Sequence, residues 1–213
     1  SHKKNVIRAD VANHRELAFA IETIQPEIVY HLAAEFGRIN GEEFYEKVWN
    51  TNAIGTRNIL EIQKPLGFKL IFASSSEIYG DIKADWLSED LTPAPQQNDY
   101  AISKWVGEIQ CRNFRKRHGS KIMVLRFFNA YGPGEYYSDY RSVCCLFCYR
   151  ALTGIPFTVY KNYWRVFMYI TDFIPTLAKS CVTKSPAWAG ASAGAVTACP
   201  VILASIIRSR ASR

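Results

Sequence analysis

Apolar residues run almost unbroken through "EIVYHLAA" (27–34) and the first two-thirds of "FKLIFASSS" (68–76). Runs of that length predict strands buried on both faces, whereas apolar positions three or four apart predict amphipathic helices. "NVIRAD" (5–10) reads as a first short buried strand. Asn13 then caps a helix with Leu17, Ala20, Ile21 and Ile24 on one face, ending before Pro26. A long helical stretch runs from about Glu42 to Gln63, between the second and third strands. A polar, proline-rich loop (81–98) leads into a helix opened by "NDYAISKWVGE" (98–108), and "KIMVLRFFNAYGPG" (121–134) is a strand entering a Gly/Pro turn. Alternating strands and helices predict an α/β fold: a doubly wound parallel sheet with helices on both faces and its sites at the carboxyl ends of the strands.

The texture changes after residue 134. The chain becomes more aromatic, with a helix predicted around 141–153 and short strands near 157–160 and 166–170. Residues 179–213 differ again: they hold one aromatic residue, Trp188, no acidic residue, and an uncharged run from Ser185 to Ile207. That run has the length of a membrane span and a GxxxG spacing at Gly190 and Gly194. Gly, Ser and Thr dilute it and Pro200 interrupts it, so no span is expected. A disordered, foreign or frame-shifted tail fits this composition better.

The net charge of +7 raises the question of nucleic acid. Residues 1–178 carry 21 Lys and Arg against 19 Asp and Glu, so most of the excess lies in the tail and no nucleic-acid partner is expected. The basic run from Arg112 to Lys121 reads as a solvated helix end stopped by Gly119. Six cysteines without a secretory leader pattern read as reduced thiols of a cytoplasmic protein. "CCLFC" (144–148) has no zinc spacing, and no metal is expected.

Tyr100 and Lys104 stand one helical turn apart. A lysine ammonium beside a phenol favours the phenolate and lowers its pKa toward the range useful for acid–base catalysis. Such a pair also occurs on plain surface helices, so its context matters. Ser74, Ser75 and Ser76 stand where an apolar strand ends, and a hydroxyl there can hold a substrate oxygen while the tyrosine moves its proton.

With "VIRADV", "IVYHLAAEFG", "NTNAIGTRNILE", "FASSSEIYGD", "DYAISKWVGE", "LRFFNAYGPG" and "RVFMYITDF" in this order over about residues 5–178, the chain resembles the extended short-chain dehydrogenase/reductase family. More narrowly, it resembles the NAD-dependent nucleotide-sugar epimerases and dehydratases. The resemblance implies a Rossmann-like sheet, NAD or NADP as cofactor, a nucleotide-diphosphate sugar as substrate, and a homodimer formed through helices 42–63 and 98–118. It makes Tyr100 the catalytic tyrosine and Lys104 the lysine that also holds the cofactor ribose. The serine four residues before the tyrosine of the "YG" pair, Tyr79, is Ser75. Asp10 and Val11 match the adenine-contacting pair, and Leu32, Ala33 and Ala34 the strand end beside the cofactor. Asn129 matches a substrate-contacting asparagine and Arg165 the arginine that grips the substrate diphosphate. Glu77 matches the glutamate of the Thr-Ser-Glu stretch in GDP-mannose-type 4,6-dehydratases and UDP-glucuronate decarboxylases, where a carboxylate could remove the C5 proton. It could equally cap the loop after the strand.

The sequence departs from that pattern at its start. It contains no G-x-x-G-x-x-G or G-x-G-x-x-G turn to cradle a pyrophosphate. The expected organisation is a partial dinucleotide-binding domain (1–134), a partial substrate-binding region (135–178) and an atypical tail (179–213). The expected activity is oxidation of the sugar at C4 followed by epimerisation, dehydration or decarboxylation. A catalytically silent fragment of such an enzyme is the alternative.

Overall fold

The computed structural model describes residues 6–82, 87–88, 98–138, 141–161, 165–181 and 202–204. The central sheet is parallel, with strand order β3-β2-β1-β6, formed by β1 (Ile28–His31), β2 (Lys69–Ser75), β3 (Ile122–Phe127) and β6 (Ile202–Ala204). A second sheet pairs β4 (Asn129–Tyr131) with β5 (Phe167–Tyr169) in parallel.

Helices cover both faces of the central sheet, as the sequence predicts. On one side lie α1 (His14–Ile24), α4 (Gly55–Leu66) and α5 (Asp99–His118). Their apolar faces enclose Leu17, Ile59, Leu60, Cys111 and Phe114 against Val29, Leu70, Phe72 and Ile122. On the other side α7 (Ile170–Lys179) packs Leu177 and Phe173 onto Ile28, Tyr30, Ile71 and Phe127. Lys69 ties this helix down by donating to the carbonyls of Ser180 and Cys181 just past its carboxyl end. Carbonyls at a helix end lack donors from within the helix.

The local signals are realised in detail. Asn13 accepts from the Arg15 and Glu16 amides at the start of α1, and Gly67 and Gly119 end α4 and α5 in the left-handed conformation. The long helical stretch is divided into α2 (Arg38–Glu43), α3 (Tyr45–Val48), a π-helical segment (Trp49–Ile54) and α4.

Two predicted strands are absent. Residues 6–10 form no strand, and Val6 is exposed. Among the described residues no neighbouring strand offers this segment a ladder. Its apolar character is accounted for by the burial of Ala9 and of the adjoining Val11, which lies against Gly55. Residues 157–160 likewise form no strand and are exposed, with Phe157 stacked on Phe147 of α6 (Val143–Thr153). Most of the expected tail lies outside the described residues; Ile202–Ala204 pairs with Val29–His31 along the outer edge of β1. No helix among the described residues is long and apolar enough to cross a membrane.

Gly107 sets how closely α5 can approach β2. A Cβ there would stand 2.5 Å from the buried Phe72 ring. Gly107→Ala is expected to destabilise the fold by about 1–3 kcal/mol through overpacking, read as a lower urea midpoint at unchanged slope.

Candidate active site

Helix α5 starts beside the end of β2. Asn98 caps it by accepting from the Ala101 amide, and Tyr100, Lys104 and Glu108 then recur every fourth residue along the face turned to the sheet. Strand β2 ends in Ser75, whose hydroxyl accepts from the Glu77 amide and starts a 3₁₀ turn, Ser76–Tyr79.

Ser75, Tyr100 and Lys104 meet at this point. The Ser75 side chain stands beside the Tyr100 hydroxyl. The buried Lys104 ammonium lies 5.9 Å from the Tyr100 ring centroid, donates to the Ala73 carbonyl at 2.9 Å, and sits 5.4 Å from the Phe72 ring. The electrostatics run opposite to the sequence-based expectation for the phenol. Burial raises the Tyr100 pKa, the Ser75 hydrogen bond works against that rise, and the Glu77 carboxylate adds to it. Lys104 does not depress it because the ammonium is itself desolvated, its pKa lowered to about 8, and it is engaged by a carbonyl and an aromatic face.

Glu77, Asn129 and Arg165 line one cleft of about 310 Å³, with Ser76, Tyr79 and Asn98. The Asn98 side-chain amide approaches Glu77 at 3.5 Å. Asn129 donates to the Val166 carbonyl through its side chain as well as its backbone, which fixes β4 against β5. Leu32, Ala33 and Ala34 follow the end of β1, next to the strand that carries Ser75. Ala33 packs toward the core shared with α1, α4 and α5, and Leu32 toward that shared with α7. Asp10 turns its carboxylate onto the Ala12 amide, and Val11 is buried.

Sequence reasoning missed the polar supports behind these groups. Asn52, in the π-helical segment, donates to Ser103 and to the Glu35 carbonyl and accepts from the Glu35 amide; Ser103 donates to the Tyr100 carbonyl. Thr56 donates to the Asn52 carbonyl, so its oxygen accepts from His31 Nε2. Burial, reinforced by Lys104, lowers the His31 pKa to about 3 and keeps the ring neutral. Polar residues four apart at otherwise apolar helix positions, Asn52 and Thr56, were the available signal.

The chain belongs to the NAD dependent epimerase/dehydratase family, whose model matches residues 1–183. It is 34% identical over 157 residues to UDP-glucuronic acid decarboxylase 1 of Xenopus tropicalis, covering 71% of this chain and 37% of that protein. The Thermus thermophilus UDP-glucose 4-epimerase in complex with NAD superposes with a TM-score of 0.76 at 26% identity, covering 86% of this chain and 64% of that one. The Bacillus cereus UDP-glucuronic acid 4-epimerase with UDP-glucuronic acid and NAD gives 0.72 at 29% identity, covering 84% and 55%. The chain thus spans less than two thirds of each of these relatives.

Lys104 makes the stability of the fold pH-dependent. Its folded pKa, about 8, lies below its ordinary value of 10.5, so between these values the unfolded chain binds the additional proton. Stability therefore rises with pH through this window until tyrosine ionisation opposes it. From pH 8 to 10 the rise is expected to be about 2 kcal/mol in denaturant titrations, and Lys104→Met is expected to flatten it.

Proposed function

We propose that this chain carries the catalytic centre of a nucleotide-sugar enzyme that oxidises its substrate at C4. The observation behind this reading is the convergence of Ser75, Tyr100 and Lys104 at a strand end, one turn from a cleft holding Glu77, Asn129 and Arg165. The UDP-sugar complexes among its structural neighbours supply the substrate class.

Bound NAD would supply the hydride acceptor and donor at the sugar C4. The residues present fit only part of that cofactor. Lys104 directs one proton to Ala73 and has two more for a ribose, and the apolar Leu32–Ala34 follow the end of the neighbouring strand β1. No glycine-rich turn in the sequence offers its backbone amides to a pyrophosphate.

Tyr100 exchanges the proton of the C4 hydroxyl, held in place by Ser75. Its raised pKa keeps the phenol protonated, which suits return of a proton to the C4 oxygen. The opposite step requires the phenolate, which the Ser75 hydrogen bond favours. Arg165 meets the substrate diphosphate with its guanidinium fork, and Asn129 orients the sugar. Glu77, exposed in the cleft, is the carboxylate for a second proton transfer; together with the decarboxylases among the relatives it favours UDP-glucuronate as the sugar nucleotide to test first.

We further propose a dimer through the stretch 42–63 and α5. Phe44, Tyr45, Ile54 and Ile109 stay exposed on these segments, whereas Val48 turns inward. Sedimentation is expected to show a dimer, and Ile109→Glu to shift it to monomer.

With millimolar NAD, the chain is expected to convert UDP-glucuronate or UDP-glucose, followed by chromatography of the sugar nucleotides. Tyr100→Phe should lower kcat by about 10²-fold or more. No conversion of any UDP-sugar would leave the silent-fragment reading.

A further inference from the structure

One buried ion pair takes no part in the proton path described above. Glu108 and Arg126 are almost fully enclosed, with side chains 1% and 6% exposed. Glu108 stands one turn beyond Lys104 and two beyond Tyr100, on the helix face turned to β2. Its carboxylate accepts from Ser74 Oγ at 2.5 Å and from Arg126 Nε and Nη2, each at 3.0 Å. Ser74 and Arg126 are opposite neighbours on β2 and β3. The Arg126 guanidinium also lies 4.8 Å from the Tyr79 ring centroid and shares a hydrogen bond with its side chain.

The two ends of this pair therefore grip different parts of the site. The carboxylate holds the residue just before Ser75, and the guanidinium holds the last residue of the turn that carries Glu77. A buried ion pair contributes little net stability, because desolvation offsets its attraction, and apolar side chains could fill the same space. A two-pronged arginine–carboxylate contact adds direction, since planar groups joined by two parallel hydrogen bonds hold one orientation.

We propose that Glu108 and Arg126 are the positioning residues of the site, fixing through Ser74 and Tyr79 the strand end that presents Ser75 and the turn that presents Glu77. This rests on the roles assigned to Ser75 and Glu77 in the proposed function.

Two variants test it in the full chain. Ser74→Ala keeps the ion pair but cuts its link to β2. Arg126→Lys keeps the charge but loses the fork and the flat contact with Tyr79. Amide hydrogen exchange reads the Glu77 amide, bound to Ser75 Oγ, and the Gly80 amide, bound to the Glu77 carbonyl, with α1 as reference. Both variants are expected to speed exchange at these two amides about tenfold or more and leave α1 unchanged. In turnover they are expected to lower kcat about tenfold, with KM for the sugar nucleotide within about twofold. Parental exchange at Glu77 and Gly80, an equal rise in α1, or an unaltered kcat overturns the proposal. A parent chain with no turnover refutes the catalytic reading instead, and the exchange comparison still decides whether the pair holds the turn.

Discussion

The site depends on how closely α5 lies against the end of β2. That approach requires a residue without a side chain at position 107, because the Phe72 ring occupies the space a Cβ would take. Once the helix is seated, its every-fourth-residue face delivers three polar groups to consecutive residues of one strand. Lys104 reaches the Ala73 carbonyl, Glu108 the Ser74 hydroxyl, and Tyr100 the Ser75 hydroxyl. A helix rises about 1.5 Å per residue and a strand about 3.3 Å, so about eight helix residues span roughly 12 Å against roughly 7 Å of strand. Only side chains of different reach can close that mismatch, and tyrosine, lysine and glutamate do so by leaning toward one strand end.

Two charged groups are buried on this face, and they are accommodated in opposite ways. Arg126 meets the Glu108 carboxylate with a fork and Ser74 adds a third donor. Lys104 has a carbonyl and two aromatic rings nearby but no carboxylate, and its pKa falls accordingly. The carboxylate one turn away is already engaged by Arg126, which leaves Lys104 pointing at the strand end. A lysine held this way has its pKa lowered to about 8 by burial, beside a tyrosine whose own pKa burial raises. The asymmetry arises from which neighbour each group meets as it is desolvated.

Much of this fold was legible in the sequence because burial on both faces leaves continuous apolar runs, as in Ile28–His31 and Lys69–Ser75. The Tyr100–Lys104 spacing was legible because helix geometry makes i and i+4 neighbours. The direction of the Tyr100 shift was not, since desolvation depends on what covers the ring. Residues 6–10 show the limit of the pattern, which records burial and not pairing: Ala9 and the adjoining Val11 are buried without a ladder. Arg126 carried a signal that spacing alone does not expose, a lone arginine within "IMVLRF". A charged side chain enclosed on an otherwise apolar strand requires a partner, and Glu108, on the face of α5 turned to the sheet, is that partner.

The two halves of the site draw on different parts of the chain. The half that holds the cleft is built from residues 75 to 169: a strand end, a 3₁₀ turn, the start of α5, and the β4–β5 pair that Asn129 fastens. The other half has the end of β1 and the Lys104 ammonium, and the sequence holds no glycine-rich turn of the kind that cradles a pyrophosphate. Its sheet edge is covered along β1 by three residues of β6. Forces that shape the first half are short-ranged and internal, namely caps, a buried ion pair and one helix–strand contact. Anion binding in the second half needs a row of backbone amides at a helix start, which local packing around α5 cannot supply. The arrangement of hydroxyl, ammonium and carboxylate groups is therefore encoded around α5, whereas a row of amides for an anion is not.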